Sequence, residues 1–318
     1  MLAIEARDLQ RTFVTGRRRS RQVTEAVKGI SFAVERGERL AFIGPNGAGK
    51  STSIKMLTGI LHPTGGSASV LGFVPWEERR RLTKRVGTLF GQRSLLWHEL
   101  TPRVSYRMLG AIFGLDDEQT ERRVAELGEL LDASDLFDQP VRTQSLGQRM
   151  RCELTACMLH APDLLVLDEP TIGLDLLAKQ RFRDLLVELN DHLGTTVFLT
   201  SHDVADIEHV ADRAIVVNHG EIIYDAPVAT MRGELLATKR VEVGLEHPGE
   251  ADRLIAALGD GVIASTPAAS MVRLDVDTTT TPIRMVLDTV LTTVGVADLS
   301  VVDPPLEKVI GEIYERPA

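Results

Sequence analysis

The sequence predicts an α/β fold, a parallel sheet with helical crossovers, followed by a small α+β domain. Three observations predict it. Short, largely apolar runs at 40–43, 164–167 and 195–200 fit strands buried on both faces. A helical pattern over 177–192 separates the last two, the alternation expected of a parallel sheet. After about Arg240 the pattern changes to short strands and helices, which marks a second domain.

Taken in order, Leu40–Ile43 ends at glycine, and a helix pattern follows over Lys50–Leu57. His62-Pro63-Thr64-Gly65-Gly66 is turn chemistry, and Ser67–Leu71 alternates like an edge strand. Helices are expected over 116–131 and 149–159. Ala214–Asn218 and Glu221–Tyr224 read as a hairpin around His219-Gly220. Beyond Arg240, strands are expected at 241–245, 261–264, 271–276 and 298–302, and helices at 250–258, 282–290 and 306–314. The expected domains are 1–235 and 240–318.

The chain of 318 residues carries 36 Lys and Arg against 45 Asp and Glu, a net charge of −9. The charge is uneven: residues 1–110 sum to +11, 111–240 to −12 and 241–318 to −8. The first segment favours anions, and the last argues against a nucleic-acid-binding tail. No apolar stretch approaches the ~20 residues that cross a bilayer, and the mixed-charge start lacks a signal-peptide core. A membrane role would therefore come through a partner. Cys152 and Cys157, without further Cys or paired His, read as buried reduced thiols and not as a zinc site.

Gly44-Pro45-Asn46-Gly47-Ala48-Gly49-Lys50-Ser51 matches G-x-x-x-x-G-K-[ST] between an expected strand and helix. Such a loop turns successive backbone N–H groups toward a phosphate, and the helix N-terminus adds its positive end. Lys50 is placed to reach the β- and γ-phosphates, Ser51 to ligate Mg²⁺, and Thr52 to touch the α-phosphate. Leu164-Leu165-Val166-Leu167-Asp168-Glu169 is an apolar strand ending in two carboxylates. Their burial is costly unless a cation meets them. Asp168 is the expected Mg²⁺ partner, and Glu169 is placed to polarise a water. Together these residues give a P-loop NTPase.

Gln144-Ser145-Leu146-Gly147-Gln148 precedes that strand, and here the chain resembles the nucleotide-binding subunit of an ABC transporter. The family signature is L-S-G-G-Q. Ser145, Gly147 and Gln148 match it, while Gln144 and Leu146 depart. A hydroxyl and a glycine amide at a helix N-terminus form a second anion site, though a simple Ser N-cap would look the same. The resemblance, over about 2–230, implies that Ser145, Leu146, Gly147 and Gln148 act on ATP held by the opposite subunit. It also implies Gln92 as the Q-loop glutamine and Mg²⁺ ligand, Asp175 as the D-loop acid and His202 as the switch histidine. Phe13 matches the aromatic that stacks on adenine, with a core role as the alternative.

The implied fold is that of an ABC ATPase, with a mixed parallel core sheet, an antiparallel β subdomain and an α-helical signature subdomain. The implied activity is ATP hydrolysis with ATP and Mg²⁺, by a homodimer on the cytoplasmic face of the membrane. The stretches 90–97 and 146–154 and the C-terminal domain, ending in Asp303-Pro304-Pro305-Leu306-Glu307, resemble ATPases that serve ABC-2-type permeases for export of drugs, antibiotics, lipids or polysaccharides. The partner would dock near Leu95, Leu96 and Trp97. Two other readings stand beside this: a soluble ABC ATPase of translation or DNA repair, and a regulator that binds nucleotide without turnover. The first usually needs paired domains or coiled-coil or zinc insertions, and the second fits poorly with an intact Glu169 and His202. Arg17-Arg18-Arg19-Ser20-Arg21 reads as a solvated hairpin loop, and Arg79–Arg81 with Lys84 and Arg85 as a solvated helix face. No aromatics interleave with either, which argues against nucleic acid.

Overall fold

Alternate residues of β6 (Leu164–Asp168) bury on opposite faces, as a strand period of two requires. Leu165 and Leu167 join one core with Phe182, Leu185, Leu186 and Leu189. Leu164 and Val166 join another with Leu40, Phe42, Ile215 and Phe198. A strand covered on both sides reads as a continuous apolar run, which is why this one was legible.

The computed structural model describes residues 1–16, 22–90, 94–235, 238–259 and 261–302. It divides into two units, Met1–Ala226 and Pro227–Ala318. The first is built on a six-stranded sheet of order β5-β6-β7-β3-β8-β9. Its strands are β3 (Arg39–Ile43), β5 (Val86–Phe90), β6, β7 (Thr196–Ser201), β8 (Arg213–Asn218) and β9 (Glu221–Pro227). The pairs β5–β6, β6–β7, β7–β3 and β3–β8 are parallel. A three-stranded antiparallel sheet packs on one face, with β1 (Leu2–Thr15) between β2 (Gln22–Glu35) and the edge strand β4 (Gly65–Val70). Phe32 of β2 meets Phe42 and Phe198 with ring centroids 5.6 and 6.3 Å apart, joining the two sheets.

Helix α1 (Lys50–Leu57) follows β3, and α2 (Arg79–Leu82) precedes β5. The other core gathers α3 (Pro102–Phe113), α4 (Asp117–Leu130), α5 (Leu146–Met158) and α6 (Leu176–Leu193). Helix α7 (Val204–Val210) follows β7. Strand β5 and helix α3 had no clear counterpart in the sequence pattern. Helix α5 starts three residues earlier than its periodicity suggested, because Ser145 and Gln148 form a reciprocal capping box.

The expected basic helix face is shorter than its sequence. Helix α2 ends at Leu82, and Arg85, still partly exposed, makes a bidentate pair with Asp163 at 2.7 and 2.9 Å. That guanidinium holds the Asp163 carboxyl below the usual carboxylate range. The cluster at 17–21 lies outside the described residues. Cys152 and Cys157 are free and buried, and burial pushes the Cys152 thiol up to about 11.

His160 stacks on Phe113 at 3.9 Å and lies 3.2 Å from the Val86 carbonyl. Burial pushes this imidazole down to about 4. The unfolded chain takes up the proton near the ordinary value of about 6.5. Between these values the unfolded state binds more protons, so this group's contribution is intact above about 6.5 and is lost as pH falls toward 4. The expected loss is about 3 kcal/mol. Urea unfolding across this pH range should show a shallower pH dependence in His160→Gln, and an unchanged dependence would refute the assignment.

In the second unit, α8 (Val228–Leu235) leads into β10 (Thr238–Leu245), α9 (Ala251–Ala257), β11 (Val262–Ala268), β12 (Met271–Asp277), α10 (Ile283–Thr293) and β13 (Val296–Val302). The sheet order is β11-β12-β10-β13 with antiparallel pairing, the ferredoxin-like split βαβ arrangement. Val241, Val243, Val272, Leu274 and Val276 pack with Leu254, Val286 and Val290. The opposite face carries the cross-strand ion pairs Arg240–Asp275 and Arg273–Glu242, both 2.9 Å. The expected terminal helix, 306–314, and the segment 303–307 lie outside the described residues.

Candidate active site

The parallel strands end together. In register, Phe90 stands beside Asp168, Asp168 beside Thr200, and Ile43 beside Ser201. In open α/β sheets this carboxyl end is where ligands bind. The loop 44–49 leaves β3 here. Pro45, Asn46 and Gly47 are exposed at its tip, while Gly44, Ala48 and Gly49 are buried. Gly49 has φ +105°, and a Cβ there would sit 2.5 Å from the Ala26 carbonyl oxygen. Only glycine combines that backbone with so close an approach.

Lys50 is 7 % exposed and folds back over the loop. Its Nζ donates to the Gly44 carbonyl at 2.6 Å and stands 3.6 Å from Glu169 Oε1. Ser51 Oγ donates to Asp168 Oδ1 at 3.4 Å, and Thr200 Oγ1 donates to the same oxygen at 2.7 Å. A hydroxyl and a carboxylate thus converge at the mouth of a cavity of about 620 Å³, lined also by Phe13, Thr52, Lys55, Glu169 and Ile172. Hard oxygens of this kind, few in number, suit Mg²⁺ that keeps waters and shares substrate phosphates. Among the described residues no group of three or more His, Cys, Asp or Glu could hold a metal by itself.

Glu169 is strained and gripped. Its φ is +52°, unusual for a residue with a side chain. Its N–H donates to the Thr200 carbonyl at 3.1 Å. Its Oε2 accepts from the His202 N–H at 3.2 Å and lies 2.7 Å from His202 Nδ1. A carboxylate only accepts, so Nδ1 carries a hydrogen toward Glu169. His202 is largely exposed, whereas the Glu169 side chain is 17 % exposed. Phe13 is half-buried on the cavity wall, with the Arg11 guanidinium 4.7 Å from its ring centroid. It belongs to neither apolar core.

Ser145, Gly147 and Gln148 line a different cavity of about 360 Å³ together with Asp175. Ser145 Oγ accepts from the Gln148 N–H at 3.3 Å, and Gln148 Oε1 accepts from the Ser145 N–H at 2.9 Å. The N-cap is therefore real, and the serine O–H remains able to donate to an anion. A Cβ on Gly147 would meet Ala178 at 2.9 Å, so α5 and α6 approach closely there. Gln144 donates to the Leu136 and Gln139 carbonyls at 2.9 and 3.2 Å, which braces the preceding turn. Leu146 is partly exposed beside Gly173. Asp175 caps α6 by accepting from the Ala178 N–H at 2.8 Å.

Gln92 lies outside the described residues. Just beyond it, Leu96 is buried and Trp97 is 39 % exposed, so of the expected docking residues Leu96 is core. Ser94 Oγ and the Leu95 N–H both donate to the buried Glu153 of α5. Burial pushes the Glu153 carboxyl up. Motif reading missed Thr200, which holds Asp168. It also missed a buried charge cluster beside His202. No local pattern marks either.

A family model described as "ABC transporter" matches residues 27–172. The ABC transporter ATP-binding protein NatA of Bacillus subtilis is 30% identical over 204 residues, covering 64% of this chain and 82% of NatA. The daunorubicin/doxorubicin resistance ATP-binding protein DrrA of Streptomyces peucetius is 34% identical over 257 residues, covering 79% of this chain and 77% of DrrA. The solved dimer of the ATP-binding cassette MJ0796 with ADP and Pi superposes with a TM-score of 0.62 at 23% identity, over 71% of this chain and 98% of that one, a likeness of fold. The chain belongs to the ABC transporter family, as an ATP-binding, ATP-hydrolysing subunit.

Proposed function

We propose that two copies of this chain clamp two ATP molecules head to tail and drive a separate ABC-2-type permease that exports a drug, antibiotic, lipid or glycan. The observation that carries the dimer is the separation of two half-sites. The phosphate-loop cavity and the signature cavity share no lining residue. Each lacks what the other holds, so a second copy turned about a twofold axis completes both.

In this reading the N–H groups of 46–50 cradle the phosphates, Lys50 swings from the Gly44 carbonyl to the β- and γ-oxygens, and Phe13 stacks on adenine. Ser145 and the Gly147 N–H meet the γ-phosphate from the opposite subunit, and Asp175 crosses the interface. Ser51 and Asp168, with Gln92, would hold Mg²⁺, which neutralises charge on the β- and γ-oxygens. Glu169 orients and polarises the attacking water, and His202 Nε2, held by Glu169 through Nδ1, faces the γ-phosphate. The first unit forms the ATPase domain and the second an accessory domain. No helix among the described residues is long and apolar enough to cross a membrane, so attachment to the cytoplasmic face runs through the permease. Support for export comes from relatives named for resistance to daunorubicin and doxorubicin and to linearmycin.

Leu176 and Leu177 are 78% and 81% exposed at the start of α6, next to the signature cavity. Leu177→Asp is expected to weaken ATP-dependent dimerisation by about tenfold or more, the scale of a central apolar anchor. Light scattering with and without ATP checks it. The functional reading is tested by co-expression with candidate ABC-2-type permeases. Co-purification and ATP-driven export from loaded vesicles are expected. Stable binding to ribosomes or DNA without membrane association would overturn it.

A further inference from the structure

Behind Glu169 and His202 lies a polar cluster that motif reading assigns no task. Its centre is Asp206 of α7, fully buried. Asp206 Oδ1 accepts from Arg183 Nε of α6 at 2.6 Å. Oδ2 accepts from Thr171 Oγ1 at 2.6 Å and from Ser201 Oγ at 2.7 Å. Arg183, Thr171 and Ser201 are each under 5 % exposed. Ser201 Oγ in turn accepts from the Asp203 N–H at 2.9 Å. The Asp203 carboxylate pairs with Lys179 of α6 at 2.6 Å and with Arg183 at 3.2 Å. Burial pushes that carboxyl up, but Lys179 and Arg183 outweigh it and hold it below the usual range.

Stability alone is a poor reason for such a cluster. Burying an ion pair costs desolvation, and apolar residues of similar volume commonly stabilise as well or better. What the cluster does have is position. Thr171 is two residues beyond Glu169, and Ser201 and Asp203 flank His202. One carboxylate therefore grips both chain segments that present the hydrolytic pair. Arg183 ties this carboxylate, and Lys179 ties Asp203, to α6, the helix that Asp175 caps. Glu169 sits at a positive φ, a strained conformation that persists only where its surroundings over-determine it.

We propose that Asp206 is a positioning residue for hydrolysis: through Thr171 and Ser201 it sets Glu169 and His202 relative to each other, and through Arg183 it registers both against α6. The inference rests on the proposed roles of Glu169 and His202. Asp206 does not reach the cavity itself and acts only through its neighbours.

The test compares single-hydroxyl deletions, which leave the ion pair intact. Ser201→Ala and Thr171→Val are each expected to lower kcat about 10-fold or more with KM for ATP little changed, since small misplacements of catalytic groups act on that scale. Ser201→Thr and Thr171→Ser, which restore a hydroxyl, should recover most of kcat. The double variant R183L/D206L separates position from stability: it should fold, yet stay slow, because the two hydroxyls lose their shared acceptor. Thermal unfolding of each variant fixes the folded fraction. A wild-type kcat in folded Ser201→Ala and Thr171→Val, or a loss that merely tracks the folded fraction, overturns the proposal. Glu169→Gln run alongside separates the two ideas: retained turnover there sinks the hydrolytic reading, whereas its loss with normal Ser201→Ala turnover sinks only the role of Asp206.

Discussion

Glu169→Gln should reduce ATP turnover by about 10²- to 10⁴-fold, the range of a positioned acid–base group, while ATP binding and ATP-driven dimerisation persist. The substitution keeps shape and removes charge. Glu169 meets only donors: the His202 N–H, His202 Nδ1 and, at 3.6 Å, Lys50 Nζ. A glutamine oxygen can satisfy one side of this set, but its NH₂ then faces a donor on the other. Both His202 contacts fall on one oxygen, Oε2, so a glutamine oxygen there keeps them while its NH₂ faces Lys50; what the amide lacks is the charge and the basic lone pair for water. The phosphate-loop N–H groups and Lys50 remain, so nucleotide still binds. Phosphate release and nucleotide titration on the same preparation check both halves, and near-normal turnover would show that another group handles the water.

Gly49→Ala should weaken nucleotide affinity by about 10²-fold, taking the known effect of a ~1 Å misplacement of reacting groups as the scale. Two effects add at this position. The backbone holds φ +105°, which side chains resist. The new Cβ would stand 2.5 Å from the Ala26 carbonyl oxygen, and backbone cannot swing aside as a side chain can. Gly47→Ala is the control. Its φ is +85°, but a Cβ there meets nothing within 4 Å, so it bears strain without collision. Fluorescent-nucleotide titration should rank wild type above Gly47→Ala and Gly47→Ala above Gly49→Ala. Equal losses would mean that conformational strain, and not the contact with Ala26, governs the loop.

The residues legible in advance share one property: their chemistry is local. The loop 44–51 makes its anion site from consecutive backbone N–H groups and the helix that follows. Asp168 and Glu169 declare themselves because four apolar residues run straight into two acids. The core strands are legible for the same reason, since burial on both faces leaves an unbroken apolar run. The strand β5 and helix α3 were not, because Gly87 and Thr88 dilute one pattern, and in the other Ser105 and Gly110 are buried while Val104, Met108 and Ile112 are exposed.

By itself the sequence determined the phosphate loop, the acid pair, the family and the existence of a second, differently patterned domain. Tertiary structure alone decided who holds those residues in place. Thr200 reaches Asp168 because β7 lies beside β6, although β7 follows in sequence only after the long helix α6. Arg85 leaves the expected basic helix face for Asp163, and Arg183 of α6 is buried against Asp206. Phe13 faces the cavity and not the core, a choice set by the packing of β1 and unreadable from Arg11-Thr12-Phe13-Val14 alone. Burying a charge is tolerable only beside its partner, and strand order, not local spacing, decides which partners meet.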